Sequence, residues 1–260
     1  MLEVKNLEFA YKEKKKRFAG NKRAERDGDI KKEFGLHNIN FVLEKGYMMG
    51  LLGFNGSGKS TLMNLLCGIC IPDGGSVVLD GMEVSADKNA VMQKIGVISD
   101  DNEFLLYRTL RENADLFGIL YDHYNQKLWE QYMMQLGFQE KDFFLCYDDL
   151  STGEKRRFQL AFALARKPEL LLLDEPTASL DPHARVEWME LLLALVSKEE
   201  LSVILATHLT SELDETADYI LVLRDGEQLA FFDREEMVDR YGEIELADLL
   251  MRLDEERSRG

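Results

Sequence analysis

Gly53-Phe54-Asn55-Gly56-Ser57-Gly58-Lys59-Ser60-Thr61 sets a lysine and two hydroxyls behind three glycines at the spacing G-x-x-x-x-G-K-[ST]. The glycines let backbone N–H groups turn inward around phosphate oxygens, Lys59 reaches the outer phosphates, and Ser60 offers a hydroxyl to magnesium. A helix opening at that point aims its positive end at the anion. The pattern implies a bound nucleoside triphosphate. What the nucleotide is spent on depends on residues downstream.

Leu170-Leu171-Leu172-Leu173-Asp174-Glu175 puts two carboxylates at the end of an apolar run, and the carboxyl end of a buried parallel strand is where α/β sheets bind ligands. Asp174 is placed to hold magnesium, directly or through water. Glu175, one residue on, is placed to orient or deprotonate the water that attacks the γ-phosphate. A lone Asp-Glu pair reads equally as a cap at a strand end. The phosphate loop upstream favours the catalytic reading.

Leu150-Ser151-Thr152-Gly153-Glu154 precedes a stretch in which Phe158, Ala161, Phe162 and Ala165 recur at i, i+3, i+4 and i+7. Ser151 is then an N-cap. The same physics gives a second reading, because a helix start with a serine hydroxyl and the Gly153 N–H free is an anion site.

In this order the segments resemble the ATP-binding subunit of an ABC transporter, and the resemblance spans nearly the whole chain. Gly53 to Thr61 matches the Walker A loop, Leu170 to Glu175 matches Walker B, and Leu150 to Glu154 matches the signature L-S-G-G-Q, with Thr152 and Glu154 departing from it. Ser179-Leu180-Asp181 matches the D-loop, and His208 matches the switch histidine. The resemblance implies a P-loop NTPase of the ABC cassette type: a RecA-like parallel sheet core with an antiparallel β subdomain and a helical subdomain.

It also implies ATP and Mg2+ as cofactors. Two subunits close head to tail, so that Ser151, Gly153 and Glu154 serve the partner's nucleotide, Asp181 lines the interface, and His208 senses the γ-phosphate and holds Glu175. Tyr11 matches the aromatic that stacks on adenine, with a core aromatic as the alternative. Family members carry Gln after the strand Ile95 to Ile98, where this chain has Ser99-Asp100-Asp101. A carboxylate is the stronger ligand for a hard cation. Asp100 is therefore assigned to the magnesium shell, with Asp101 or a plain acidic loop as alternatives. The acidic loop and the Ser-Thr-Gly form of the signature resemble exporter subunits of the ABC-2 type. Thr109 to Asn113 resembles the stretch near which the membrane domain's coupling helix docks.

The elements that must position these residues follow from periodicity. Leu2, Val4, then Leu7, Phe9 and Tyr11 alternate as half-buried sheet, and Leu36, Ile39, Phe41 and Leu43 resume it. Met48 to Leu52 reads as the strand before the phosphate loop, and a helix is expected from Thr61 to Cys70, ended by Pro72 and an Asp73-Gly74-Gly75 turn. Ser76 to Leu79, Ile95 to Ser99, Leu170 to Leu173, Ser202 to Ala206 and Ile220 to Leu223 are further strands. Helix is expected over Arg185 to Ser197 and from Asp233 onward. The division expected is one ABC domain over 1–260: an ATP-binding core (1–100 and 166–226), a helical subdomain with the signature (102–165), a basic insertion (12–33) and a tail (227–260).

Composition bounds the function. With 260 residues, 45% of them apolar and 4 prolines, the chain can bury a full core. Its apolar runs fall well short of the roughly 20 residues that span a bilayer, and its start lacks the pattern of a secretory signal. The expectation is a cytoplasmic protein, held at the inner face of the membrane by an integral permease subunit. A net charge of −16 argues against nucleic acid as a partner. Lys12 to Glu33 runs the other way, ten basic against five acidic residues, and reads as a solvated loop able to meet an anionic leaflet or acidic partner. Three cysteines suit a reducing compartment, and the Cys67-Gly-Ile-Cys70 pair reads as packing behind the phosphate loop.

The function so implied is an ATPase that powers transport, in the export direction, through a separate membrane partner, with a second ATP-binding subunit, expected to be identical, completing the site. The alternatives are a soluble ABC ATPase acting on ribosomes or DNA, and a regulatory subunit that hydrolyses nothing.

Overall fold

The computed structural model describes residues 1–11, 34–99, 104–178, 180–199 and 201–259. The basic stretch 12–33, together with Asp100, Asp101 and Ser179, lies outside the described residues. Among the described residues, ten strands form one sheet in the order β5-β4-β1-β2-β10-β9-β3-β8-β7-β6. In chain order they are β1 Leu2–Ala10, β2 Gly35–Leu43, β3 Met48–Leu52, β4 Gly74–Leu79, β5 Met82–Glu83, β6 Ile95–Ile98, β7 Leu170–Asp174, β8 Ser202–Ala206, β9 Tyr219–Arg224 and β10 Glu227–Asp233. The helices are α1 Lys59–Leu66, α2 Lys88–Lys94, α3 Leu110–Gly118, α4 Gln126–Gln135, α5 Thr152–Leu164, α6 Pro182–Glu199, α7 Arg234–Tyr241 and α8 Leu246–Arg259.

The parallel part runs β9-β3-β8-β7-β6. Every residue of β3 and β8 is buried, which is why both read as unbroken apolar runs rather than alternating ones. β1, β2, β4 and β5 pair antiparallel at the other end. A parallel core with an antiparallel end is the sheet that the resemblance implies.

The phase of apolar residues in β1 slips between Val4 and Leu7, yet both are buried. A bulge explains it: Asn6 has φ 45°, and the register to both neighbouring strands shifts there. Gly75 answers the bulge from β4, where a Cβ would meet the Asn6 carbonyl at 2.2 Å. The expected Asp73-Gly74-Gly75 turn is therefore in part strand, since Gly74 pairs with Glu8. The expected helix to Cys70 is shorter as well. It ends at Leu66 because Gly68 takes φ 73° and its N–H closes the last turn onto the Leu65 carbonyl at 3.1 Å.

Between β6 and β7, helices α3 to α5 pack around an aromatic knot. Trp129, Tyr147 and Phe158 are fully buried, with Phe104 edge-on to Phe158 at 4.8 Å. Among the described residues, no helix is long and apolar enough to cross a membrane.

Candidate functional site

β3 ends at Leu52, and the chain turns through Gly53 (φ 158°), Gly56 (φ 81°) and Gly58 (φ 113°) before α1 begins. A Cβ on Gly53 would sit 2.4 Å from Ser57 Oγ and 2.5 Å from the Leu223 carbonyl, so only glycine lets the loop close this tightly. The loop lines a cleft of about 450 Å3 with Phe34, Asn55, Gly56, Ser57, Gly58, Lys59, Ser60, Thr61, Asp174 and Glu175 around it. Phosphate loop and Walker-type carboxylates, far apart in sequence, thus share one wall-to-wall space.

Lys59 is buried and its ammonium is already engaged. Nζ donates to the Gly53 carbonyl at 2.8 Å and lies 3.7 Å from Glu175 Oε1. Glu175 leaves β7 in the left-handed region, φ 48°, pinned by its N–H to the Ala206 carbonyl at 2.9 Å. A non-glycine residue held there is strained, a common property of functional positions. Its other oxygen, Oε2, is 2.7 Å from His208 Nδ1, so one carboxylate bridges the lysine and the histidine.

Asp174 sits at the same strand end, deeper. Burial pushes its carboxyl above the usual range, against a hydrogen bond from Ser60 that lowers it. Asp174 Oδ1 and Ser57 Oγ are both buried with no hydrogen-bond partner. Such orphaned polar atoms carry a cost unless something binds them. The side chains at the cleft fit a magnesium–triphosphate: Lys59 for phosphate oxygens, Ser60 and Asp174 for a hard cation.

Tyr11 is not among the residues lining the cleft; it is about half exposed, with its hydroxyl 3.3 Å from Thr61 Oγ1 and its ring edge-on to Phe9. Phe54 is exposed on the loop itself. Phe34, at the cleft mouth, was not singled out from the sequence, where its only signal is an aromatic just before β2. Ser151, Gly153 and Glu154 are not among the residues lining the cleft. Ser151 and Glu154 form a reciprocal cap on α5, with Glu154 N–H donating to Ser151 Oγ at 3.3 Å and Ser151 N–H donating to Glu154 Oε2 at 2.9 Å. Gly153 lies against Leu180, where a Cβ would meet Cδ2 at 3.3 Å. Asp181 caps α6 through the N–H groups of His183 and Ala184 at 3.0 and 3.1 Å, and these bonds hold its carboxyl below the ordinary range. Cys67 and Cys70 are free thiols behind α1, and burial raises the Cys67 thiol's pKa.

The family model for the ABC transporter matches residues 36–178, more than half of the chain. The chain belongs to the ABC transporter family. Among curated relatives, the Nod factor export ATP-binding protein I of Rhizobium sp. (strain N33) is 37% identical over 77% of this chain and 68% of its own length. Two solved structures share the fold. An ATP-binding subunit of an ABC transporter has a TM-score of 0.80 at 22% identity, covering 98% of this chain and 99% of that one. A dimeric ATP-binding cassette in a post-hydrolysis state with ADP and Pi has a TM-score of 0.74 at 24% identity, covering 90% and 98%. This ABC protein is an ATP-binding, ATP-hydrolysing subunit that powers transport through a separate membrane-spanning partner.

Proposed function

We propose that this ABC cassette drives export, that it hydrolyses MgATP between two copies of itself, and that it works at the cytoplasmic face of a membrane on an integral permease. The export direction is supported by the likeness to the Rhizobium export protein and by the Ser-Thr-Gly signature. The observation that carries the catalytic reading is Glu175, held between Lys59 and His208 at the rim of the phosphate cradle.

In this reading Lys59 gives up its contacts to Gly53 and Glu175 for phosphate oxygens. Glu175, released from the lysine but still held by His208, orients the attacking water and accepts its proton. Ser60 and Asp174 hold magnesium, with Asp100, outside the described residues, assigned to the same shell. Bound magnesium supplies neutralisation of the phosphate charge. Gly53, Phe54, Asn55, Gly56, Ser57, Gly58 and Thr61 shape the cradle, and Tyr11 offers a ring to the adenine.

Head-to-tail pairing is supported by the separation of signature and cleft within one protomer. Ser151, Gly153 and Glu154 form a capped helix start and are not among the residues that line the cleft, so their phosphate is sought on a second copy, with Asp181 assigned to the interface. Hydrolysis with Glu175→Gln is the test. The variant should bind MgATP at least as tightly as the parent while phosphate release falls about 100-fold or more. Retained turnover would remove Glu175 from the chemistry.

A further inference from the structure

The phosphate loop is supported from behind by the turn Asp225-Gly226 between β9 and β10. Gly226 N–H donates to the Ser57 carbonyl at 3.0 Å, and the Leu223 carbonyl fills the space beside Gly53. At the edge of this turn the Arg224 guanidinium lies over the Phe54 ring, Cζ 4.8 Å from the centroid. Its Nη1 also donates to Asp254 Oδ2 at 2.6 Å, and Asp254 belongs to α8. Arg257, further along α8, donates to Glu227 Oε2 at 2.8 Å and reaches Asp225 Oδ2 at 3.4 Å. The helix itself is fixed to the core by Leu246, Leu249 and Leu253, all buried.

We propose that α8 braces the phosphate loop through Arg224, making Arg224 a positioning residue for the nucleotide. The inference rests on reading Gly53 to Thr61 as the phosphate cradle. A planar guanidinium can stack on a ring and donate from its edge at once, so the contacts to Phe54 and Asp254 reinforce one another. An exposed ion pair by itself contributes little. Its value here is what it orders: a loop with three glycines at positive φ has freedom to lose, and ordering it beforehand reduces what binding must supply. Arg224 touches no residue of the Asp174–Glu175–His208 cluster, so the effect belongs to affinity rather than to the chemical step.

The test is calorimetric titration of the full chain with MgADP, together with KM and kcat for MgATP and the melting temperature. Arg224→Ala and Asp254→Ala should each raise Kd and KM roughly two- to five-fold, with kcat unchanged. The double variant should be no weaker than Arg224→Ala alone, because both remove one brace. Arg224→Lys, which keeps the cation but not the plane, should fall between parent and Arg224→Ala, and supplies the answer if the alanine variant fails to fold. A lowered melting temperature with unchanged Kd would overturn the proposal, leaving α8 as a structural anchor only. Fully additive effects on Kd would overturn it too. Lys59→Ala separates this from the underlying reading: it should abolish binding, and if it binds like the parent, the phosphate cradle assignment fails and the brace with it.

Discussion

Asp174 is pulled in opposite directions by folding and by function. Burial lifts its carboxyl above the usual range, and an acid whose folded pKa is raised binds more protons folded than unfolded. Stability therefore declines as pH rises from the ordinary carboxylate range through the raised value, and stays lower above it. Asp174→Asn removes that cost. The nucleotide-free variant should melt a few degrees higher than the parent at neutral pH, lose the advantage at acid pH below the ordinary carboxylate range, and lose magnesium-dependent turnover. A thermal scan over pH that shows no such crossing would remove burial as the source. At this scale the sequence was legible where spacing marks residues: the structure gathers Lys59, Ser60, Asp174 and Glu175 at one cleft, with His208 against Glu175. Arg224 was not legible, because one arginine before an Asp-Gly turn carries no spacing signal toward Phe54 or Asp254.

Elements are legible in proportion to how far their own sequence sets them. β3, β7 and β8 are buried on both faces, so continuous apolar runs announce them. The end of α1 is set by Gly68 rather than by Pro72, to which the residue pattern points. The slip in β1 was visible as a change of phase, but its meaning as a bulge needed Gly75 across the sheet. In the helical layer, α5 carries Phe158 into the aromatic knot and Ser151 caps its start, so one element joins the knot to the stretch assigned as the signature. Phe158→Ala should cost about 3–5 kcal/mol in urea unfolding. A cost below about 1 kcal/mol would mean that the knot does not hold the helix.

For the whole molecule, the signature and the phosphate cradle lie on one chain without lining one cleft. If two copies share each nucleotide, an inactive mixture can regain activity. Lys59→Ala and Ser151→Arg should each be inert alone, yet mixed in equal amounts they should recover roughly a quarter of parental turnover, since half the dimers carry one site with both parts intact. No recovery on mixing would argue against head-to-tail sharing.

The sequence alone determined the chemistry and the class of fold, because the phosphate loop and the carboxylate pair work through local spacing and a buried strand must be apolar from end to end. Only the tertiary structure decided how the parts are held. It brought Glu175 between Lys59 and His208, sank Asp174 far enough to shift its carboxyl, and laid α8 against the turn behind the loop. Those are contacts between residues remote in the chain, fixed by sheet order and packing, and nothing in local periodicity encodes them.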